Sequence, residues 1–214
     1  MEYKLNPIPA DIDNPKLNQL LSKLNLTNTP QKIQYKEFGL QDKTECIKNV
    51  EKVVEINGGY QLFGWAIWLT PNVLIEAEFH SAWMAPESII YDVTPRGFRE
   101  ILFIIDRNLK FNGYQIDNIR IPLTPFKQIE ELISNSEEYF QILNKGNRKF
   151  EFGKIRLELS EIERVKSLQA HNTKLVKEIC ERNNNPKRNS ICFCGSEKKY
   201  KHCCERKTGE HQNE

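Results

Sequence analysis

Four cysteines near the end of the chain constrain its structure more than any other feature. They follow the pattern C-x-C-x8-C-C within thirteen residues, and they are Cys192, Cys194, Cys203 and Cys204. Four thiolates form the soft tetrahedral ligand set that zinc takes in closed structural sites. A segment this short cannot bury enough apolar surface to fold alone, so metal binding must supply its folding free energy, about 10–16 kcal/mol in small zinc peptides. We therefore expect these four residues to bind one Zn2+ ion.

The residues around these cysteines resemble a known motif. Three segments carry the resemblance: Arg188-Asn189, Cys192-x-Cys194-Gly195-Ser196 and Lys198-Lys199-Tyr200-x-x-Cys203-Cys204. They are similar to the SEC-C motif, which ends the bacterial protein-translocation ATPase and occurs in many unrelated proteins. The motif usually has proline before the first cysteine and glycine after the serine, where this chain has Ile191 and Glu197. The resemblance covers about residues 188–205 and implies a zinc site, with protein, ribosome or lipid as partner.

Two alternatives to a four-cysteine zinc site exist. His202 can replace one cysteine as a ligand, although the spacing of the motif favours Cys203 and Cys204. The cysteines can instead form a redox-active cluster, although that role does not explain why the intervening residues match the motif.

The motif lies in a basic segment. From Arg182 to Lys207 the chain has eight Lys or Arg residues and two Glu residues. Part of this charge neutralises a four-thiolate zinc centre, and the remainder can face a polyanion such as the ribosome, RNA or acidic lipid. A solvated basic tail is the alternative. The candidate contacts are Lys198, Lys199, Lys201, Arg206 and Lys207.

The rest of the chain has the composition of an ordinary globular protein. Of its 214 residues 39% are hydrophobic and 28% charged, and the net charge is +2, so overall charge does not predict polyanion binding. It has no apolar run of signal-peptide or membrane-span length, and we expect a cytoplasmic protein. We predict a body at 1–181, with a candidate papain-like core at 42–122 and a helical part at 124–181. A linker at 182–189 and a zinc module at 190–207 follow.

The pattern of apolar residues predicts an α+β body, in which a central antiparallel sheet is flanked by helices. Helices are predicted at 16–24, at 42–56 with Asp42 as N-cap, at 124–143 and at 160–181. Strands are predicted at 60–69, 73–83, 89–94, 97–106 and 114–121, with a further short β segment at 149–159.

Cys46, His80 and Asp92 form a candidate catalytic group. Cys46 lies in the first turn of a predicted helix, where backbone N–H groups and the helix dipole favour a thiolate. If Trp83 pairs with Ile89 in a hairpin, His80 lies directly opposite Asp92 on one face of the sheet. An aspartate beside a histidine can fix the tautomer of its ring.

The order of these three residues resembles that of papain-like and transglutaminase-like enzymes in layout only. The resemblance implies Cys46 as nucleophile, His80 as general base and acid, and Asp92 as the residue that orients His80. The reaction is then acyl transfer from an amide or thioester, in hydrolysis, deamidation or crosslinking.

Each element of this site has a structural alternative. A cysteine on the apolar face of a helix, a strand histidine and an aspartate before a turn are common without catalysis. Three tryptophans can wall a substrate cleft or belong to the core: Trp65, Trp68 and Trp83. Glu76, Glu78 and His80 share a strand face and can also hold a metal. The alternative to an enzyme is a non-catalytic adaptor, in which the body binds one partner and the zinc tail another.

Overall fold

The computed structural model describes residues 3–39, 45–151, 153–194, 196 and 198–205. Its strands are β1 Ile8–Pro9, β2 Gln31–Tyr35, β3 Tyr60–Thr70, β4 Leu74–Met84, β5 Ile90–Asp92, β6 Glu100–Ile105 and β7 Ile119–Pro122. Its helices are α1 Leu17–Lys23, α2 Cys46–Asn57, α3 Lys127–Leu143 and α4 Leu159–Asn184. The predicted α+β class, with a central sheet, helices and a C-terminal cysteine cluster, is confirmed.

The chain forms two compact units. The sheet unit comprises residues 8–69 and 75–121. The helical unit comprises residues 1–7, 70–74 and 122–214. None of the helices within the described ranges is long and apolar enough to cross a membrane.

Five strands of the sheet pair in a closed ring. The strand order is β1-β3-β6-β2-β5-β4-β7, and β3 also pairs with β4. The strands β3, β6, β2, β5 and β4 therefore each have a partner on both sides. β2 pairs antiparallel with β6 and parallel with β5, so the sheet contains a parallel pair that the sequence did not predict. Because neither edge of β2 is open, its backbone groups are satisfied inside the sheet.

One face of these strands forms the main core of the sheet unit. This cluster comprises Ile33, Ala66, Trp68, Ala82, Ile101 and Phe103. Next to this cluster, Gly64 lets β3 approach β6 closely because glycine has no Cβ atom. A Cβ atom at this position would collide with the carbonyl oxygen of Ile104. A side chain at position 64 would therefore push the two strands apart.

The other face of β4 and β5 packs against α2. Val50 and Val53 of the helix are buried against Trp83, Ala85 and Val93. The predicted N-cap of this helix, Asp42, lies outside the described residues. The helix begins at Cys46 and ends before Gly58, whose φ of 71° is in the left-handed region that favours glycine.

The helical unit is held together by α3 and α4. Ile129, Leu132 and Ile133 of α3 pack against Leu175 and Ile179 of α4. A capping box begins α4, in which the N-cap residue Glu158 and Glu161 each accept a backbone N–H of the other. The helix runs to Asn184, into the polar segment that the sequence predicts as a linker.

The predicted β segment at 149–159 is wrong. Residues Gly146–Phe150 form a 3-10 turn, and the described residues 151 and 153–158 are neither helix nor strand. Arg148 explains the difference, since its guanidinium donates to both carboxylate oxygens of Glu161 and to the carbonyl of Ile142. These bonds hold the segment to the ends of the two helices, although its alternating pattern is that of a strand.

Candidate active site and cysteine cluster

Cys46 is the first residue of α2. Its side chain is buried, with 8% of the residue exposed. The first N–H groups of a helix carry a partial positive charge because they have no intrahelical acceptor. The backbone N–H of Ser81 on β4 also donates to the sulfur of Cys46. The start of α2 and the middle of β4 thus meet at this thiol.

His80 and Asp92 lie together in the interior of the sheet unit. The hairpin pairs Trp83 with Tyr91 and Met84 with Ile90, so the predicted pairing of Trp83 with Ile89 is wrong. The shift is two residues, and an even shift leaves every side chain on its predicted face. Nε2 of His80 lies 3.0 Å from Oδ1 of Asp92, and both side chains are buried. His80 therefore contacts Asp92 diagonally, across one step of the ladder.

His80 joins the other two residues. Its ring makes a hydrogen bond with the Cys46 side chain. Nε2 of the ring faces Asp92, and Nδ1 lies 3.4 Å from Nη2 of Arg96. The structure thus brings Cys46, His80 and Asp92 into one hydrogen-bonded chain. Their proposed catalytic roles remain predictions.

The environment lowers the pKa of the Cys46 thiol below its ordinary value. Burial by itself raises this pKa, whereas the hydrogen bond and the charge of His80 lower it. The N–H of Ser81 and the charge of Arg96 also lower the pKa. A negative sulfur is therefore better stabilised here than in water.

The same contacts raise the pKa of His80 to about 10. Burial alone lowers this pKa, while the hydrogen bonds and charges of Asp92 and Cys46 raise it. The thiol and the imidazole are therefore shifted towards an ion pair of thiolate and imidazolium.

Sequence reasoning missed a second charged pair beside His80. Arg96 binds both carboxylate oxygens of Glu78, at 2.5 and 3.1 Å, and its Nη2 lies 3.4 Å from Nδ1 of His80. The indole N–H of Trp68 donates to Glu78 at 2.7 Å, and the guanidinium lies over the Trp68 ring. Glu78 lies on the same strand face as His80, and Arg96 lies four residues after Asp92 in the chain. These two positions are the sequence signal from which the pair could have been predicted.

Two alternative roles suggested by the sequence do not fit. Trp65, Trp68 and Trp83 are at most 5% exposed, so they belong to the core and do not wall a cleft. Glu76 and Glu78 form ion pairs with Arg120 and Arg96. Among the described residues, the group with the arrangement of a metal site is the four C-terminal cysteines.

A short hairpin and a 3-10 turn bring these cysteines together. Ile191 bridges Lys199, the N–H of Cys192 donates to the carbonyl of Lys198, and the turn Tyr200–His202 leads back to Cys203. The rings of Phe193 and Tyr200 pack 5.7 Å apart across the hairpin.

The cluster fits a metal ion with four sulfur ligands. The sulfur atoms of Cys192, Cys194, Cys203 and Cys204 all lie within 4.8 Å of one another. Four ligands at 2.3 Å in a tetrahedron are about 3.8 Å apart, which this spacing accommodates. His202 is not a member of the cluster, and its side chain is exposed. The four sulfurs thus meet the requirement for a closed site.

The close approach of the four sulfur atoms shifts the pKa values of Cys194 and Cys204 in opposite directions. Burial raises the pKa of Cys204, and so do its hydrogen bonds and the charges of Cys192 and Cys194. Burial also acts to raise the pKa of Cys194, but hydrogen bonds from Ser196 and Cys203 lower it to about 6. Negative charge therefore concentrates on part of the cluster, where a cation would balance it.

Comparison with protein families agrees with this geometry. Residues 188–206 match the family model of the SEC-C motif. The tail carries a SEC-C motif. It provides a metal-binding site made of four cysteines. Comparison of the chain with curated proteins and with solved structures gave no significant match.

Proposed function

We propose that the sheet unit is a thiol-dependent hydrolase or acyltransferase that acts on amide or thioester bonds. Cys46 is the nucleophile, His80 the general base and acid, and Asp92 orients the imidazole. One observation carries the proposal: the buried His80 ring pairs with Asp92 at 3.0 Å and lies close enough to the Cys46 thiol for the two groups to shift each other's pKa. This is the arrangement that activates a cysteine for attack on a carbonyl.

The first half of the reaction acylates Cys46. The thiol passes its proton to the imidazole of His80, and the sulfur attacks the carbonyl carbon. A C–S bond forms and the π electrons move to the oxygen. Backbone N–H groups at the start of α2 stabilise this oxyanion in the proposal. When the C=O bond re-forms, the bond to the leaving amine or thiol breaks, and that group takes the proton from His80.

The second half releases the acyl group. Water, or an amine acceptor, attacks the thioester and gives a proton to His80. Collapse of the intermediate breaks the C–S bond and returns Cys46 as a thiolate beside the imidazolium. Asp92 stabilises the imidazolium in both halves without being protonated. Cys46 is the least buried of the three residues, at 8% exposed against 0% for His80 and 2% for Asp92, so in the proposal the acyl group approaches from the sulfur side.

We propose Zn2+ as the metal of the SEC-C module. Four thiolates without a fifth donor are typical of structural zinc, which would hold the hairpin and the 3-10 turn together. All six cysteines are free thiols in the structure, which suits the reducing cytoplasm that we propose as the location.

The burial of the catalytic candidates supports a second candidate function. His80 and Asp92 are 0% and 2% exposed, as expected for a polar network that only stabilises a fold. The protein is then a non-catalytic adaptor. It binds a protein or polyanion partner through its basic tail, where Lys198 and Lys199 are exposed. Arg206 and Lys207 lie outside the described residues.

Limiting iodoacetamide on zinc-loaded protein separates the two functions. Intact mass and peptide mapping give the alkylation rate of each cysteine from pH 5 to pH 9. Cys180 is the internal control, because it is more exposed than Cys46 and burial raises the pKa of its thiol. The enzyme requires Cys46 to react faster than Cys180 well below pH 8, and His80→Gln to abolish this advantage.

The other outcome is equally informative. If Cys46 is inert, or follows the pH profile of an ordinary thiol, the enzyme is excluded and the adaptor remains. Binding of single-stranded RNA is then measured by fluorescence anisotropy at several salt concentrations. Lys198→Glu with Lys199→Glu should weaken binding and reduce its salt dependence, whereas Lys127→Glu on α3 should not.

A further inference from the structure

Arg96 has the surroundings of a residue built into the candidate active site. Its two Nη groups contact Glu78 and His80, and its guanidinium covers Trp68. The side chain is 18% exposed and that of Glu78 is 28% exposed. The Nε group is buried and has no hydrogen-bond partner among the described residues. The contacts to Glu78 and His80 thus orient the guanidinium.

The chemistry of guanidinium determines what Arg96 can do next to a histidine. It only donates hydrogen bonds and stays charged at all relevant pH values. Nδ1 of a neutral His80 can accept from it, while Nδ1–H of an imidazolium cannot. The positive charge also favours a thiolate on Cys46 over a thiol. Glu78 opposes both effects, because it neutralises most of the charge of Arg96.

We propose that the Arg96–Glu78 pair is a positioning device that sets the pH at which Cys46 becomes a thiolate. Arg96 supplies the charge, Glu78 limits it, and Trp68 fixes both. This inference rests on the proposed function of Cys46. It predicts that removing one partner has the opposite effect to removing the other.

Other charged and titratable groups near the pair come from each neighbouring element. Cys46 belongs to the start of α2 and Asp92 to β5, and both are close enough to Arg96 to interact with its charge. Burial raises the pKa of the Tyr35 phenol of β2 to about 12, with further contributions from its hydrogen bond to Glu37 and, least, from the charge of Asp92. β6 presents the ring of Phe103 to His80. Arg96 is the cation in this set that directly contacts the imidazole.

The test compares three variants of the pair in the full zinc-loaded chain. Glu78→Gln keeps an acceptor for Trp68 and leaves the charge of Arg96 unbalanced. The pH midpoint of Cys46 alkylation should then fall by about one unit. Arg96→Gln leaves Glu78 unbalanced, and the midpoint should rise by about one unit. Arg96→Lys keeps the charge and should shift the midpoint by less than either.

The matched control is the second ion pair of the same strand. Glu76 binds Arg120 and is also mostly buried. It lies four residues from His80, about 13 Å along the strand. Glu76→Gln should leave the midpoint unchanged. If Glu78→Gln and Arg96→Gln shift the midpoint in the same direction, the pair acts only by supporting the fold and the inference is overturned.

A second readout separates this inference from the proposed function. The imidazole of His80 is titrated by 15N NMR in the parent and in both variants. Its pKa should fall in Glu78→Gln and rise in Arg96→Gln, whether or not Cys46 reacts. An inert Cys46 with opposite shifts at His80 rejects the proposed function and keeps the electrostatic role of the pair. Unmoved His80 pKa values in both variants reject that role.

Discussion

Nε2 of His80 and Oδ1 of Asp92 are 3.0 Å apart, although the two residues are not directly opposite in the β4–β5 ladder. The same oxygen of Asp92 accepts the backbone N–H of Thr94 at 3.0 Å. The carboxylate is therefore fixed by the turn that follows its own strand, and it reaches diagonally to the histidine. This diagonal contact fixes the orientation of the ring, whose other nitrogen lies 3.4 Å from Nη2 of Arg96.

Replacing Asp92 with Asn tests the charge of this contact. An amide oxygen can still accept from Nε2, so the ring keeps its tautomer, but it loses the negative partner that stabilises the imidazolium. We expect the pKa of His80 to fall and the pH midpoint of Cys46 alkylation to rise by about one unit. The measurement is the pH dependence of alkylation. Asp106→Asn, which removes the carboxylate bound by Trp65, should leave the midpoint unchanged.

Replacing Cys46 with Ala should make stability more dependent on pH. The pKa of His80 is raised to about 10 from 6.5, so its contribution is complete below about pH 6.5 and is lost as pH rises through 10. The lowered pKa of Cys46 has the opposite sign, because that contribution is present above the ordinary thiol pKa and is lost as pH falls. In the parent the two contributions offset each other over the pH range just below the ordinary pKa of a thiol.

The Cys46→Ala variant retains Asp92 and therefore part of the His80 contribution. Its free energy of unfolding should fall by up to about 1 kcal/mol per pH unit over this range, more steeply than in the parent. Urea unfolding at several pH values measures both slopes, with Cys180→Ala as the control. Equal slopes in parent and variant would show that Cys46 makes no pH-dependent contribution to stability.

Replacing Cys204 with Ser should remove the metal. The parent should retain about one zinc ion per chain after gel filtration, because four thiolates form a closed site. A hydroxyl is a much poorer ligand for zinc, so metal content should fall well below that value and alkylation of the buried Cys192 should become fast. Metal analysis and mass mapping give the two results. Cys180→Ser should retain the ion, and equal metal content in Cys204→Ser would contradict the assigned ligand set.

Replacing Gly64 with Ala tests the close approach of β3 and β6. The added methyl group would meet the backbone of Ile104, and overpacking of this kind destabilises by about 1–3 kcal/mol. Urea midpoints at neutral pH measure the loss. Gly97→Ala is the comparison, since its φ of 81° gives strain while the space around it is open. A larger cost at Gly97 than at Gly64 would show that backbone strain outweighs the contact between strands.

The sequence predicted the cysteine motif because its residues interact over a short stretch of chain. It also placed Cys46, His80 and Asp92 correctly with respect to strand faces and helix start. The register was wrong by two residues because Ala85 and Ile89 bond across the turn, which makes the loop tighter than the five residues assumed. Side-chain alternation repeats every two residues, so this error did not separate His80 from Asp92.

Other features depend on distant parts of the chain and were not predictable from local patterns. β2 is short and of mixed polarity, so its residues alone do not predict a strand. It forms a strand because it pairs with β5 on one side and β6 on the other. Arg96 lies in a turn that contains Pro95 and Gly97, and local rules describe such a segment as a solvated loop. Its burial follows from the Glu78 carboxylate, which belongs to another strand.

The position of β2 also determines when Cys46 acquires its chemistry during synthesis. β2 precedes Cys46, but both of its partners, β5 and β6, leave the ribosome after it. His80, Asp92 and Arg96 follow Cys46 in the same way. A nascent chain that ends before β6 has not completed the sheet around Cys46, so we expect its thiol to have ordinary reactivity. This thiol then stays exposed to oxidants and electrophiles for as long as translation of the second half of the sheet takes.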